Sequence, residues 1–331
     1  MQVLILTLEF LIGLVAIIKG ADWLTDAAAA IARHLGIPTI VVGLTIVAVG
    51  SSMPEFVVSV VSATKGNVDM ALGNVVGSNI FNILGIVGIT AIVAPIAIDR
   101  RNIKYDVPFV VLSSLYIAIT ACDNFLNNST NNNPHLAPDC ISRSDGLLML
   151  CSFIIFMVYT LSIAQGSKQP EGNHADDTGE KKPLWKHIMW VIIGLVLLIV
   201  GGDALVEGAS GLALWMGVSE SVIALTIVSA GTSAPELAAS VMAAKKGDTA
   251  MALGNVVGSV VFNVFFALGT SAVIFPLGIG GVTATDILVL LAASVLLWLL
   301  SAFGRPKLII TRAEGIIMVI MAIAYYTYLV I

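Results

Sequence analysis

The chain has 331 residues, of which 58% are hydrophobic and only 11% charged, with a mean hydropathy of +0.99 and a formal net charge of −5. Soluble domains carry roughly a quarter charged residues, so this composition excludes an ordinary soluble domain and requires a polytopic membrane protein. Runs such as 191–200, VIIGLVLLIV, are apolar all round and lack the every-second-residue alternation of an outer-membrane barrel strand, which makes the class all-α.

Apolar runs predict spans at 3–32, 38–64, 69–95, 105–121 and 145–164, then at 187–214, 219–245, 250–277, 283–302 and 313–331. Residues 1–18 have no basic leader and no small-residue cleavage site, and read as the first half of a retained helix. An Asn-rich loop is bracketed by Cys122 and Cys140, for which a disulfide and two free thiols are equally expected; Cys151, in an apolar run, is expected as a buried reduced thiol. Residues 165–186 mix Gly, Pro, Asp, Glu and Lys and form a polar linker. The expected organisation is a first transmembrane repeat (1–164), the linker (165–186) and a second repeat (187–331).

The two repeats are visible directly. Residues 43–82 align without a gap on 224–263 at a constant offset of 181, with 20 of 33 positions identical between Gly50 and Asn82. Gly20, Asp22 and Gly36 pair with Gly201, Asp203 and Gly217 at the same offset. Five spans separate equivalent points, so the second repeat enters the membrane in the opposite sense, the inverted arrangement of many secondary transporters.

Basic residues orient the chain. Arg33, Arg100, Arg101, Lys104, Lys168, Lys181, Lys182, Lys186, Lys245, Lys246, Arg305, Lys307 and Arg312 fall in one set of loops, and only Lys65 and Arg143 in the other. The positive-inside rule puts the linker in the cytoplasm and both termini outside an inner (cytoplasmic) membrane.

Glu55 and Glu236 each lie deep in an apolar span, where a charge costs at least about 2.5–3.5 kcal/mol on insertion scales. No Lys or Arg in either central segment neutralises them. Both follow proline, in GSSMPE (50–55) and GTSAPE (231–236), so each helix is expected to break near Gly50 and Gly231 and to free carbonyls around Ala48, Ser51, Ser229 and Thr232. Hydroxyls of Ser51, Ser52, Thr232 and Ser233 surround the breaks. The repeated ALGNVVGS (71–78 and 252–259) adds Ser78, Ser259 and, four residues on, Asn82 and Asn263. For Ser78 and Ser259, ligation and helix packing are equally expected; for Asn74 and Asn255, structural support is the stronger expectation.

Two carboxylates among neutral oxygens suit a hard cation, Ca2+ or the similarly sized Na+, and the lack of buried Cys and His clusters speaks against zinc or copper. Asp22, Asp26, Asp203 and Glu207 form a second repeated set near span ends. Interfacial positions with local pairing, such as Lys19 with Asp22, are expected for them. Asp106 and Asp286 are expected at span starts.

At GSSMPE, GTSAPE and the paired ALGNVVGS motifs the sequence resembles the calcium:cation antiporter superfamily, in particular its bacterial and archaeal sodium/calcium exchanger-like members. The resemblance covers essentially the whole chain. It implies ten helices in two inverted five-helix repeats, Glu55 and Glu236 shared between calcium and sodium sites, Ser52 and Ser233 as sodium ligands, carbonyl ligands at Ala48, Ser51, Ser229 and Thr232, and a central contribution from Asn82 and Asn263. Many exchangers of that family carry aspartate at the position of Asn263; asparagine in both repeats leaves a formal charge of −2, which one Ca2+ neutralises, and weakens the case for potassium co-transport. The acidic residue that the proton-coupled branch carries after its Gly-Asn is also missing here, where Val75 and Val76 follow Gly73-Asn74.

The expected function is therefore Ca2+/Na+ antiport by alternating access, with no resident cofactor, no enzymatic activity and no nucleic-acid partner. The nearest alternative is a proton-coupled calcium antiporter, and a remoter one is a cation channel.

Overall fold

The computed structural model describes residues 2–66, 68–121, 140–166, 183–217, 229–279, 282–303 and 308–330. Among the described residues, eight helices are long and apolar enough to cross a bilayer: α1 (Val3–Leu35), α4 (Met70–Val93), α5 (Asn102–Thr120), α6 (Arg143–Gln165), α7 (Leu184–Trp215), α10 (Thr249–Ile274), α11 (Ala284–Phe303) and α12 (Arg312–Leu329). The pair α2 (Thr39–Ser51) and α3 (Met53–Thr64), bent by 48° where they meet, is together long and apolar enough for a ninth. The tenth expected span, 219–245, is described from residue 229 onward, as α8 (Ser229–Thr232) and α9 (Ala234–Lys245). Cys122 and linker residues 167–182 lie outside the described residues.

The helix ends repeat as the sequence does. The positive-φ glycines form two mated pairs, Gly36 (φ 64°) with Gly217 (φ 86°) and Gly66 (φ 73°) with Gly247 (φ 84°), each just past a helix C-terminus. That left-handed turn lets orphan carbonyls find partners: after α1, the Gly36 and Ile37 amides donate to the carbonyls of Arg33 and Ala32. Pro38 then starts α2. At the α10 start, Asp248 accepts both the Met251 amide (2.9 Å) and the Thr39 hydroxyl (2.8 Å), joining the N-termini of α2 and α10.

The longest helices, α1 and α7, pack against each other along glycine-lined faces. A Cβ on Gly13 would stand 2.7 Å from the Gly201 carbonyl oxygen, and one on Gly20 2.8 Å from that of Gly194. These four glycines are two mated pairs, so the crossing maps onto itself when the halves are exchanged. The other helices enclose a buried core running through α4, α5, α10 and α11, from Val75 and Ile83 to Val260, Phe265 and Leu290.

Four two-residue strands supplement the helices. β1 (Ile96–Ala97) pairs antiparallel with β4 (Ile309–Ile310), and β2 (Cys140–Ile141) with β3 (Leu277–Gly278). β1 follows α4 as β3 follows α10, and β2 precedes α6 as β4 precedes α12, so each ladder is the image of the other and each joins the two halves.

Two local expectations change. Cys151 is exposed on the outer side of α6 rather than buried, because that helix turns most of its apolar surface outward. Asp106 and Asp286 do stand in the opening turns of their spans, as expected, and both are buried there: Asp106 accepts the Tyr159 hydroxyl and Asp286 that of Tyr325, each at 2.8 Å. Asp22 pairs with Lys246 of the other half rather than with Lys19.

Candidate cation site

Proline 54 cannot donate to the carbonyl four residues back, and its ring crowds that turn. The break falls at Ser52 (φ −85°, ψ 9°), and its mate at Ser233 (φ −90°, ψ 9°), two residues beyond the expected Gly50 and Gly231. Both glycines remain within helical turns, where they admit α7: a Cβ on Gly50 would meet Leu195, and one on Gly231 would meet Val206. The Ala48 carbonyl still accepts the Ser52 amide at 3.0 Å, and the Ser51 hydroxyl also donates to it at 3.4 Å.

Immediately past each break stands a glutamate with no accessible surface. Each is held by the opposite half: the Ser52 hydroxyl donates to Glu236 Oε1 at 2.7 Å, and the Ser233 hydroxyl donates to Glu55 Oε1 at 3.1 Å. The second oxygen of each carboxylate, Oε2, is buried without a hydrogen-bond partner. Two carboxylates lie close enough to repel one another, with Thr232 beside Glu55 and Ser51 beside Glu236. Such an arrangement requires positive charge, since an uncompensated pair at this depth is strongly unfavourable.

The asparagines of the second motif divide into two roles. The Asn74 amide donates to the Glu55 carbonyl (3.1 Å) and the Ser59 hydroxyl (3.0 Å), and the Asn255 amide to the Glu236 carbonyl (3.2 Å) and Ser240 hydroxyl (2.8 Å). These bonds clamp the backbone that carries each glutamate, the supporting role expected of them. Asn255 Oδ1 also accepts the Ser51 hydroxyl at 3.3 Å.

Asn82 and Asn263 differ. Both are fully buried and both sit in π-helical turns, Phe81–Ile86 and Phe262–Leu268, which widen the helix where a side chain must be aimed away from the regular spacing. Neither amide atom of Asn82 has a partner, and Asn263 Oδ1 and Ser259 Oγ have none. These oxygens are the chemistry a hard cation takes. Ser51, Ser52, Ser233, Ser78 and Ser259 are also buried, whereas Thr232 is partly exposed. Ser229 is described through its backbone as the first residue of α8.

Asn79 was not among the expected residues. It is fully buried, its Oδ1 accepts the Asn263 amide at 3.2 Å, and its own Nδ2 has no partner. The search for doubled residues passes over it because its mate is Val260. The available signal was an asparagine between Ser78 and Asn82 in an otherwise apolar stretch.

The model of the family described as sodium/calcium exchanger protein matches residues 5–162 and 186–331. The chain is 38% identical over 332 residues to the antiporter candidate CaxA of Alkalimonas amylolytica, covering 98% of each, and 30% identical to the inner membrane protein YrbG of Escherichia coli, covering 92% of this chain and 91% of that one. A structure of the sodium-calcium exchanger NCX_Mj, soaked with 10 mM Na+ and no Ca2+, superposes with a TM-score of 0.81 at 30% identity, over 97% of this chain and 98% of that chain.

Proposed function

The chain belongs to the sodium/calcium exchanger family, a family of antiporters and not of enzymes, and from that premise we propose that it exchanges Ca2+ for Na+ across the cytoplasmic membrane by alternating access. The observation that carries this reading is the crossed pair of bonds, Ser52 to Glu236 and Ser233 to Glu55, around two buried carboxylates. Each carboxylate then keeps one oxygen without a hydrogen-bond partner, as do Asn82, Ser259 and Asn263.

In this reading Glu55 and Glu236 bind the cation, Ser51, Ser52, Thr232, Ser233, Ser78 and Ser259 add hydroxyl or carbonyl oxygens, and Asn82 and Asn263 close the site at the centre. Carbonyls of Ala48 and Ser229 complete the donor set. One Ca2+ neutralises the two carboxylates, and Na+ competes for the same oxygens. A site stripped of both loads would carry a net charge of −2 through low-dielectric surroundings, so the carrier crosses only when loaded, and exchange is obligatory. The linker is taken as cytoplasmic and the termini as external, from the bias of basic residues. With that orientation an inward sodium gradient drives calcium out.

Sodium-loaded proteoliposomes diluted into sodium-free buffer test the proposal by uptake of radioactive calcium, beside a parallel sample given only a pH gradient. Uptake that needs the sodium gradient and vanishes in Glu55→Gln is expected. Uptake driven by the pH gradient alone would replace Na+ with protons as the coupling ion, and calcium current without a counter-ion would replace the antiporter with a channel.

A further inference from the structure

Besides the paired glutamates of the site, three charged positions recur at the 181-residue offset: Asp22, Asp26 and Lys65 in the first half match Asp203, Glu207 and Lys246 in the second. The structure holds the two sets of cross-half partners in opposite conditions. On the face where α1 ends and α9 ends, Lys246 Nζ contacts Asp22 Oδ1 at 2.6 Å and Asp26 Oδ1 at 2.9 Å, and donates to the Asp22 carbonyl at 2.7 Å. On the other face, Lys65 forms no ion pair with Asp203 or Glu207, although all three are described. Asp203 and Glu207 instead line an open cavity of about 270 Å³ with Pro54, Gly231, Thr232 and Pro235, which reaches both helix breaks.

Packing differs in the same sense. Leu24, Thr25 and Ala28 of α1 are buried, whereas their mates on α7, Leu205, Val206 and Ala209, are each partly exposed. α1 lies closely along α9, and α7 approaches α3 far less closely. Two half-sequences that repeat one plan therefore stand in two conformations, one shut and one open.

We infer that Lys246 with Asp22 and Asp26 is a lock that closes the linker face, and that Lys65 with Asp203 and Glu207 is its counterpart, formed when the opposite face closes. This rests on the alternating-access reading above. Exchanging the conformations of the halves breaks one set of ion pairs as it makes the other, so the two end states keep similar free energies, as a reversible carrier needs. Exposed ion pairs suit this task because they form and break without a large desolvation penalty. While a lock is open, its two carboxylates stand at the cavity mouth and draw cations toward the site.

The test uses the full chain with Cys122, Cys140 and Cys151 replaced by serine, carrying either Asp22→Cys with Lys246→Cys or Asp203→Cys with Lys65→Cys. A short bis-methanethiosulfonate spans the longer side-chain gap, and mass spectrometry reads the linked peptides in membrane vesicles. Both pairs are expected to link, each reducing calcium uptake by about tenfold or more until reductant is added. Failure of the Lys65/Asp203 pair to link in both Na+-loaded and Ca2+-loaded vesicles would overturn the proposal. As a second measurement without cysteines, Lys65→Glu should slow exchange roughly three- to tenfold and Lys65→Glu with Asp203→Lys should restore it; an unchanged rate in the single variant would also overturn it. Linking does not depend on flux: both pairs linking in a parent with no sodium-dependent uptake would sink the exchange reading and leave the locks, and the reverse pattern would sink the locks alone.

Discussion

The hydroxyl of Ser52 donates to Glu236 Oε1 at 2.7 Å across 184 residues of chain, and its image, Ser233 to Glu55, spans 178. The two separations lie evenly about the 181-residue repeat offset, as they must if exchanging the halves turns one bond into the other. Each half thus supplies a carboxylate that the other half orients. Replacing Ser52 by alanine removes both that bond and a neutral oxygen beside the cation. Hydrogen bonds to charged groups contribute about 1.5–3 kcal/mol, so exchange by Ser52→Ala should fall at least roughly tenfold, with Ser52→Thr retaining most of it; concentration series of sodium-driven calcium uptake provide the check.

Glutamine in place of Glu55 or of Glu236 keeps the shape of the side chain and removes half of the site's charge. Neither variant should exchange calcium measurably, and calcium should no longer raise the melting temperature of the purified protein. Robust uptake in either one would remove the carboxylates from the mechanism.

Asn82 is expected to separate function from stability. Neither of its amide atoms has a hydrogen-bond partner, so Asn82→Leu, of similar size, relieves two buried polar atoms and loses no bond. The variant should melt at the same temperature as the parent or higher, yet exchange no calcium. A lower melting temperature would make Asn82 a structural residue.

Asn255 should behave in the opposite way, because it donates to the Glu236 carbonyl and Ser240 and accepts from Ser51. Asn255→Ala leaves those buried partners unsatisfied and should destabilise the protein by about 1–3 kcal/mol, visible as a lower thermal transition in detergent, together with slower exchange.

Gly254 and Gly258 sit where α10 crosses α2, and a Cβ at either would stand 2.7 Å and 2.6 Å from the carbonyl oxygens of Ile40 and Leu44. Backbone atoms cannot move aside as a flexible side chain can. Leucine at either position should abolish accumulation of folded protein in the membrane, measured by size-exclusion chromatography after extraction.

Much of the architecture was legible because the chain states it twice. A constant offset over Gly50–Asn82, an odd number of spans between mates and two proline-preceded glutamates identify inverted repeats and the centre of the site. What a linear pattern cannot carry is which residue of one half meets which of the other. The offset relates Ser52 to Ser233, but their actual partners are glutamates fixed by the crossing of helices. The same holds for Lys246, whose carboxylate partners lie 224 residues away at Asp22 and further along α1 at Asp26. The displaced break has a local cause, since the helix can complete the Ser52-to-Ala48 bond before proline interrupts the ladder. Asn79 escaped because it belongs to one repeat alone.

The short ladders also bear on how the chain is made. β1 must wait for Ile309 and Ile310, and β2 for Leu277 and Gly278, before its backbone groups are paired. A ribosome that has released only the first half has therefore delivered two unpaired edges and one carboxylate without its orienting serine. That half is a biosynthetic intermediate rather than a finished module, completed only when the second half supplies the partners of both edges.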